Sequence, residues 1–262
     1  MYYISMVTMN RLDILRRVLA QIERCTPEPF TLLITDNGST DGTPDFLRHY
    51  AGERPGQTEL WLLPENVGVC KARNAHWDWC IGQDAVKLDD KVEITTPHWL
   101  PIVFEQCRRL HAIMGFTDPE TEQLWSRAAE VEAAAFPQWK CGASMFIPSE
   151  LSKELGAFCE DYGLYGHEDL DYMDRAECLG WHPWLYTLKA YGKHLARAGT
   201  WGRAYVQPFI PIYEANREAY RQGERDLVIP IESTEGWRIG QEHKANPSSL
   251  VRRGEALLEA AR

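Results

Sequence analysis

Apolar positions in the first ninety residues alternate between two rhythms. Tyr2 to Val7 is a short strand-like run. Behind Asn10, the residues Leu12, Leu15, Leu19 and Ile22 recur at helical spacing, which predicts a helix with Asn10 as its N-cap. Phe30 to Thr35 is mostly apolar and suits a buried parallel strand, ending in the turn-rich cluster Asp36-Asn37-Gly38-Ser39-Thr40-Asp41-Gly42. Thr43-Pro44 then reads as an N-cap with proline in the first helical turn. Leu60 to Leu63 predicts a third strand and Val69 to Ile81 a helix. Ala85 to Leu88 predicts a fourth strand that runs straight into Asp89-Asp90. Strands alternating with helices predict an α/β fold with a mostly parallel central sheet and helices on both faces.

The second half is less regular. Residues 117–138 read as an insertion, with a short helix in the alanine-rich stretch Ala128 to Ala135. Ser144 to Ile147 returns to strand character, and a helix is predicted from Glu168 to Leu179, stopped by Gly180. Residues 199–262 hold several prolines and Gly-Trp neighbours before a final predicted helix, Leu250 to Ala261. The expected organisation is a main domain over 1–198, divided into halves 1–92 and 93–198. Residues 199–262 would be an extension that serves as a lid or an oligomer arm.

Composition narrows the function classes. The 262 residues are 44% hydrophobic and 25% charged, ordinary for a chain that buries a core, and the formal net charge is −10. An acidic balance gives no help toward a nucleic acid or an anionic membrane, so nucleic acid is disfavoured as a partner. Seven cysteines without a CxxC pair do not form a disulfide framework or a zinc site. No run approaches the ~18 apolar residues of a membrane span. The first residues lack the basic flank of a signal peptide. A cytoplasmic protein with reduced thiols is the expectation.

In a sheet of this kind ligands bind at the carboxyl ends of the strands, and the polar clusters after Val7, Thr35 and Leu88 all fall there. The first cluster, Thr8-Met9-Asn10-Arg11, is not the glycine-rich fingerprint of a dinucleotide fold, and a P-loop is also absent. Asp36 stands directly after a strand. A carboxylate there either accepts from a uracil or a ribose, or ends the strand in an Asx-turn.

Four segments in order carry a resemblance. They are Thr8 to Arg11, Asp36 to Thr43, Asn66-Val67-Gly68 with Lys71-Ala72-Arg73-Asn74, and Leu88 to Val92. Together they resemble glycosyltransferase family 2, of the GT-A fold. The resemblance implies a nucleotide-sugar donor, UDP-linked by preference, bound by Thr8, Asn10, Arg11, Asp36, Asn66, Arg73, Asp89 and Asp90. Thr8 and Asp36 would hold the base, Arg73 the base or phosphates, and Asp89 the ribose and sugar. A guanidinium suits phosphate because it forks onto two oxygens.

One departure concerns the metal. Family members commonly carry a carboxylate that binds Mn²⁺ or Mg²⁺ at the position of Lys91, and a hard cation needs oxygen ligands. Either Asp90 takes over as ligand, or the ammonium itself offsets the diphosphate charge. His194, in Ala190-Tyr191-Gly192-Lys193-His194, is the second candidate ligand.

In the second half the order Lys140 to Ile147, Leu155-Gly156-Ala157-Phe158 and Tyr165-Gly166-His167-Glu168-Asp169-Leu170-Asp171 resembles the family's acceptor region. It also touches the Glu-Asp region of β-1,4-galactosyltransferases. The resemblance implies Asp169 as general base, with Gly142, Glu168 and Asp171 on the acceptor side. Transfer to a hydroxyl needs a carboxylate to take the proton as the diphosphate leaves from the opposite face, and that geometry implies inversion. The helix dipole is expected to lower the pKa of Asp169, and Asp171 is also spaced to pair with Arg175. Trp139, Trp181 and Trp201 are candidates to line the acceptor, which would be a glycan, a lipid-linked group or another hydroxyl carrier. Two alternatives remain: a silent GT-A-like module that binds a nucleotide-sugar or glycan, and a transferase acting on a modified nucleic-acid base.

Overall fold

The first strand, β1 (Tyr2–Thr8), is buried at Ile4, Ser5 and Met6 in succession, as a strand covered on both faces of the sheet must be. Ile4 and Met6 pack into one apolar cluster and Tyr3 against the other. The computed structural model describes residues 1–117, 133–134, 143–195, 207–231 and 238–239. The first cluster takes Leu15, Val18, Leu19 and Ile22 of α1 (Leu12–Cys25), Leu47 of α2 (Thr43–Glu53), and Leu100, Val103 and Phe104 of α4 (Trp99–Leu110). The second takes Cys70, Ala75 and Trp77 of α3 (Val69–Trp77), Leu151 and Leu155 of α5 (Ser149–Leu155), and Tyr172 and Met173 of α6 (Glu168–Cys178). Each fully buried large side chain contributes roughly 1.5–3 kcal/mol.

β1 lies between β2 (Phe30–Asn37) and β4 (Asp84–Asp89), parallel to both, and β3 (Thr58–Leu63) extends the parallel set beyond β2. All four strands therefore end on the same edge, where Thr8, Asp36 and Asp89 stand. On the other side of β4 the sheet becomes mixed. β8 (Ser144–Ile147) is antiparallel to β4, β6 (Ala112–Thr117) is antiparallel to β8, and β9 (His182–His194) is parallel to β6. β5 (Val92–Ile94) pairs antiparallel with the end of β9, in the register Val92 opposite His194. The α/β architecture expected from the alternating pattern is present, with the parallel half where the pattern placed it.

Several local expectations differ. Arg11, not Asn10, is the N-cap of α1. Asn10 has a left-handed φ of 53°, and its side-chain oxygen accepts the Thr40 N–H at 2.8 Å. It thus ties two loops together rather than starting a helix. Helix α2 begins at Thr43 with Gly42 as its cap, and the side chain of Asp41 accepts the Thr43 N–H at 2.9 Å. The helix expected to Ile81 is α3 followed by one 3₁₀ turn, Asp78–Cys80. Ala133–Ala134, placed in a predicted helix, form a short strand β7 on Thr187 and Tyr186 of β9. Sheet pairing there overrides alanine's helical preference.

Within the expected extension, α7 (Ile210–Gln222) packs on α6, and β10 (Arg238–Ile239) adds antiparallel to β3. The expected helix 250–261, Gly142, Trp139 and Trp201 lie outside the described residues. Among the described residues no helix is long and apolar enough to cross a membrane. Cys25, Cys70, Cys80, Cys107, Cys159 and Cys178 are free thiols.

Candidate active site

The residues expected to hold the donor begin at the ends of β1 and β2. The carboxylate of Asp36 is 1% exposed and accepts both the N–H and the hydroxyl of Ser39. Burial nevertheless holds its pKa above the usual carboxylate range, with the Ser39 bonds opposing. The Asx-turn reading is therefore present in the bonds, inside a strand that runs on to Asn37. Next to it, Asn37 donates to Asn66 at 2.9 Å and accepts the Val67 N–H at 3.0 Å. Gly38 has a φ of 78°, and a β-carbon there would lie 2.7 Å from the Asn66 nitrogen. Only glycine lets these two loops approach so closely. Asn66 itself is exposed beside this junction.

Arg73 lies deeper than its expected role suggests. It is 1% exposed, and its guanidinium donates to the Ser5 carbonyl at 3.2 Å and the Ser5 hydroxyl at 3.0 Å. Its Nε has no hydrogen-bond partner among the described residues. Behind it, the ring nitrogens of His76 bond the Ser5 hydroxyl at 2.6 Å and the Thr35 hydroxyl at 2.7 Å. Burial, with Arg73 adding, drives the His76 pKa well down, so the ring is neutral. Arg73 thus acts as a fixed positive charge beneath the strand ends.

The chemistry concentrates at the end of β4. Because β1 and β4 are in the register Ser5 opposite Lys87, that lysine lies beneath the sheet face covered by α3 and α6. Its side chain is 3% exposed, and its ammonium is 2.9 Å from Oδ2 of Asp169 and 3.1 Å from Oδ1 of Asp89. Burial works against the charge, but the two carboxylates outweigh it and raise the Lys87 pKa. Lys91 reaches the other oxygen of Asp89 at 3.2 Å. Burial alone would raise Asp89; Lys87, Lys91 and Arg73 reverse this and bring its pKa down to about 2. Asp90 accepts the Thr8 hydroxyl at 2.9 Å and faces Arg11 at 3.6 Å. Burial pushes its pKa up to about 6, despite Arg11.

Across from this cluster, α6 begins at Glu168. Asp169 keeps one oxygen on Lys87, while Oδ1 has no hydrogen-bond partner among the described residues. Its pKa is raised, contrary to the lowering expected from the helix dipole. Desolvation is the larger effect, and Asp89 adds to it against the pull of Lys87. Glu168 is 5% exposed and accepts the Gly166 N–H at 2.9 Å; burial, with Asp169 beside it, raises its pKa as well.

Asp171 departs from its expected acceptor role. Its side chain is fully buried, with Arg175 at 2.8 Å on one oxygen and the hydroxyls of Tyr162 at 2.7 Å and Tyr220 at 3.0 Å on the other. Arg175 also donates to the carbonyls of Leu155, Ala157 and Leu227. All of these bonds lie inside the protein, so Asp171 anchors α6 and α7. Trp181, 7% exposed, stacks on His111 at 3.9 Å between centroids, which is a packing role rather than an open sugar platform.

The two halves of the chain meet directly. The Val69 N–H at the start of α3 donates to the Leu164 carbonyl at 3.0 Å, which places the loop before α6 against the start of α3. Residues 3–130 match the family described as glycosyl transferase family 2. The first half of the chain is thus similar to glycosyltransferase family 2. Solved structures extend the likeness into the second half, at identities that show the fold alone. GalNAc-T7 with UDP, GalNAc and Mn²⁺ aligns at a TM-score of 0.65 and 15% identity, covering 97% of this chain and 54% of that one. S. aureus TarS 1-349 with UDP-GlcNAc aligns at 0.58 and 15%, covering 76% and 59%. The mannosyltransferase PcManGT from Pyrobaculum calidifontis with GDP-Man and Mn²⁺ aligns at 0.58 and 19%, covering 99% and 74%. The chain spans little more than half the length of the first two. No curated protein matches the sequence. The fold is GT-A.

The set of side chains at the end of β4 is a poor fit to a divalent ion. Both oxygens of Asp89 carry ammonium groups, and Asp90 is engaged by Thr8 and Arg11. The backbone of His194 lies opposite Val92, near Lys91, but its side chain falls outside the described part. Among the described residues no three His, Cys, Asp or Glu side chains converge as an ion site. Of the pair expected to hold the metal, Asp90 is described and is engaged by Thr8 and Arg11, while the His194 side chain lies outside the described residues.

Sequence reading passed over Lys87 and Tyr165. Lys87 interrupts an apolar strand, a signal that a charge is buried with partners. Tyr165 is 45% exposed, and Lys91, Glu168, Asp89 and Lys87 all act electrostatically on its hydroxyl.

Proposed function

We propose that this chain transfers a sugar from a nucleoside diphosphate sugar, UDP-linked by preference, to an acceptor hydroxyl with inversion. The observation that carries this reading is Asp169. One carboxylate oxygen is fixed by Lys87 and the other lacks a hydrogen-bond partner among the described residues, next to the strand ends of the donor half. A base must be held in place and still have an oxygen to receive the proton.

In this reading the donor's base lies by Asp36 and Asn66, and its phosphates lie over the positive potential of Arg73, Lys87 and Lys91. The acceptor enters on the side of Glu168 and Tyr165. As its oxygen bonds to the anomeric carbon, the bond to the diphosphate breaks and the hydroxyl proton passes to Asp169. The raised pKa of Asp169 makes it a better proton acceptor than an exposed aspartate would be. The unit we propose spans 1–198, with residues 199–262 an extension whose helix α7 buttresses α6. Free thiols throughout the described part suit a cytoplasmic setting.

The test is turnover across panels of UDP- and GDP-sugars and acceptors, with Asp169→Asn as comparison. Expected is transfer that falls by about 10²–10⁴ in the variant while nucleotide binding persists. Nucleotide binding with neither transfer nor donor hydrolysis in the parent protein would instead make this a binding module.

A further inference from the structure

Asp89 is the first acid of the strand-end pair, and neither of its oxygens is open. Lys87 stands at 3.1 Å on one and Lys91 at 3.2 Å on the other. Asp90 has the Thr8 hydroxyl on one oxygen and Arg11 on the other. All four oxygens of the pair thus face a donor or a cation. A hard divalent ion would need several of them within ~2.0–2.6 Å and would share that space with two ammonium groups. Like charge at such separations is repulsive even where water screens part of it.

The two lysines differ in what they can do. Lys87 is 3% exposed and shared between Asp89 and Asp169, so it is committed to holding the two carboxylates. Lys91 is 12% exposed, and the one ion pair it makes among the described residues is with Asp89. Its backbone is fixed by the Leu195 N–H, which donates to the Lys91 carbonyl at 2.8 Å. The side chain is the element free to exchange partners, from Asp89 to a phosphate oxygen. When it does, Lys87 stays on Asp89 and keeps that carboxylate compensated.

Resting on the glycosyltransferase reading above, we propose that this chain holds its nucleoside diphosphate without a divalent cation, with Lys91 supplying the countercharge. The ammonium takes the place of the ion: it neutralises charge on the diphosphate in the bound state and on the leaving group as the glycosidic bond breaks. No proton or electron is transferred by it.

The experiment is calorimetric titration of the full chain with UDP and with GDP, in EDTA and again in Mn²⁺. Free Mn²⁺ is followed in parallel by electron paramagnetic resonance. Expected is the same affinity in both conditions within about twofold, with no Mn²⁺ taken up. Lys91→Met should weaken binding by about 10- to 100-fold, the worth of a hydrogen bond to a charged group. Lys91→Asp should bind only when Mn²⁺ is present, with Mn²⁺ uptake. Binding by the parent protein that requires Mn²⁺ overturns the inference and leaves the glycosyltransferase reading standing. Undiminished metal-free binding by Lys91→Met or Lys91→Asp also overturns it. Absence of binding to both nucleotides in both conditions overturns the inference and the reading beneath it.

Discussion

The ammonium of Lys87, at the end of a central strand, lies 2.9 Å from the carboxylate of Asp169, at the start of the helix that faces it. The pair joins the two halves of the chain across 82 positions of sequence. Its second partner, Asp89, makes Lys87 the centre of a three-member ion network rather than half of an isolated pair. Such a network can keep Asp169 ionised in a desolvated place, where burial alone would protonate it.

Removing that ammonium should act on stability and pH dependence together. Lys87→Met leaves Asp169 without its ion partner, beside an Asp89 that keeps only Lys91. The expected loss is roughly 2–3 kcal/mol, below the ~3–5 kcal/mol of a fully buried pair because both aspartates keep some contact with water. Without Lys87 the Asp169 pKa rises further, so the acid limb of the rate profile should move to higher pH. Urea unfolding and a pH–rate series check the two effects separately. An unshifted acid limb would mean that Asp169 is not the group titrating.

Tyr165 offers an exposed ring at the mouth of the site, flanked by the charges of Lys91 and Glu168. Its removal uncovers little core. Tyr165→Ala should therefore leave the melting temperature nearly unchanged while weakening sugar binding by about tenfold, the scale of one aromatic contact. The measurement is KM for acceptor and for donor in the variant. A rise in one of them tells which substrate the ring touches, and no change in either removes Tyr165 from the site.

The parallel half of the sheet was readable because its strands are short apolar runs, each ended by turn chemistry at one edge. Thr8, Asp36 and Asp89 fall on that edge as a direct result. Asp169 is singled out in the sequence by its neighbours Gly166 to Asp171, and its role remains the proposal made above. The partners of these residues were not readable. Whether Asp171 faces an acceptor or Arg175 depends on where Tyr162 and Tyr220 lie, and those contacts span 9 and 49 positions. Asn10 fits a helix cap by residue type, but its left-handed backbone and its bond to Thr40 belong to loop packing. The rise in the Asp169 pKa likewise comes from three-dimensional burial, which outweighs the helix dipole visible in the sequence.

Glu168 should make stability pH-dependent in a direction opposite to most carboxylates. Burial, with Asp169 adding, raises its folded pKa above the ordinary glutamate value of 4.5. Between the ordinary and the raised value the folded state binds more protons than the unfolded one, so stability falls as pH rises through that window. Glu168→Gln removes this slope and should gain on the parent protein as pH goes from about 5 to about 8. Melting temperatures of both proteins across that range provide the check. Parallel curves would show that Glu168 keeps its unfolded pKa in the folded chain.

Asp171 separates anchoring from substrate binding. Its carboxylate and the Arg175 guanidinium are both fully buried, 2.8 Å apart, and the remaining Arg175 donors hold carbonyls from the α5 end and from Leu227. Asp171→Asn keeps the shape and can still accept from Tyr162 and Tyr220, but it leaves Arg175 as a buried charge without its counterion. A buried ion pair broken on one side costs about 3–5 kcal/mol, so the urea midpoint should fall by that equivalent. Because no part of the Asp171 side chain reaches the surface, acceptor KM measured on the folded fraction should match the parent protein. The opposite pattern, an unchanged midpoint with a raised acceptor KM, would return Asp171 to the acceptor site. Arg175→Met with Asp171→Leu distinguishes the charge from the hydrogen bonds: it leaves no charge unpaired but strips partners from the Leu155, Ala157 and Leu227 carbonyls and from the Tyr162 and Tyr220 hydroxyls, so only part of the lost stability should return.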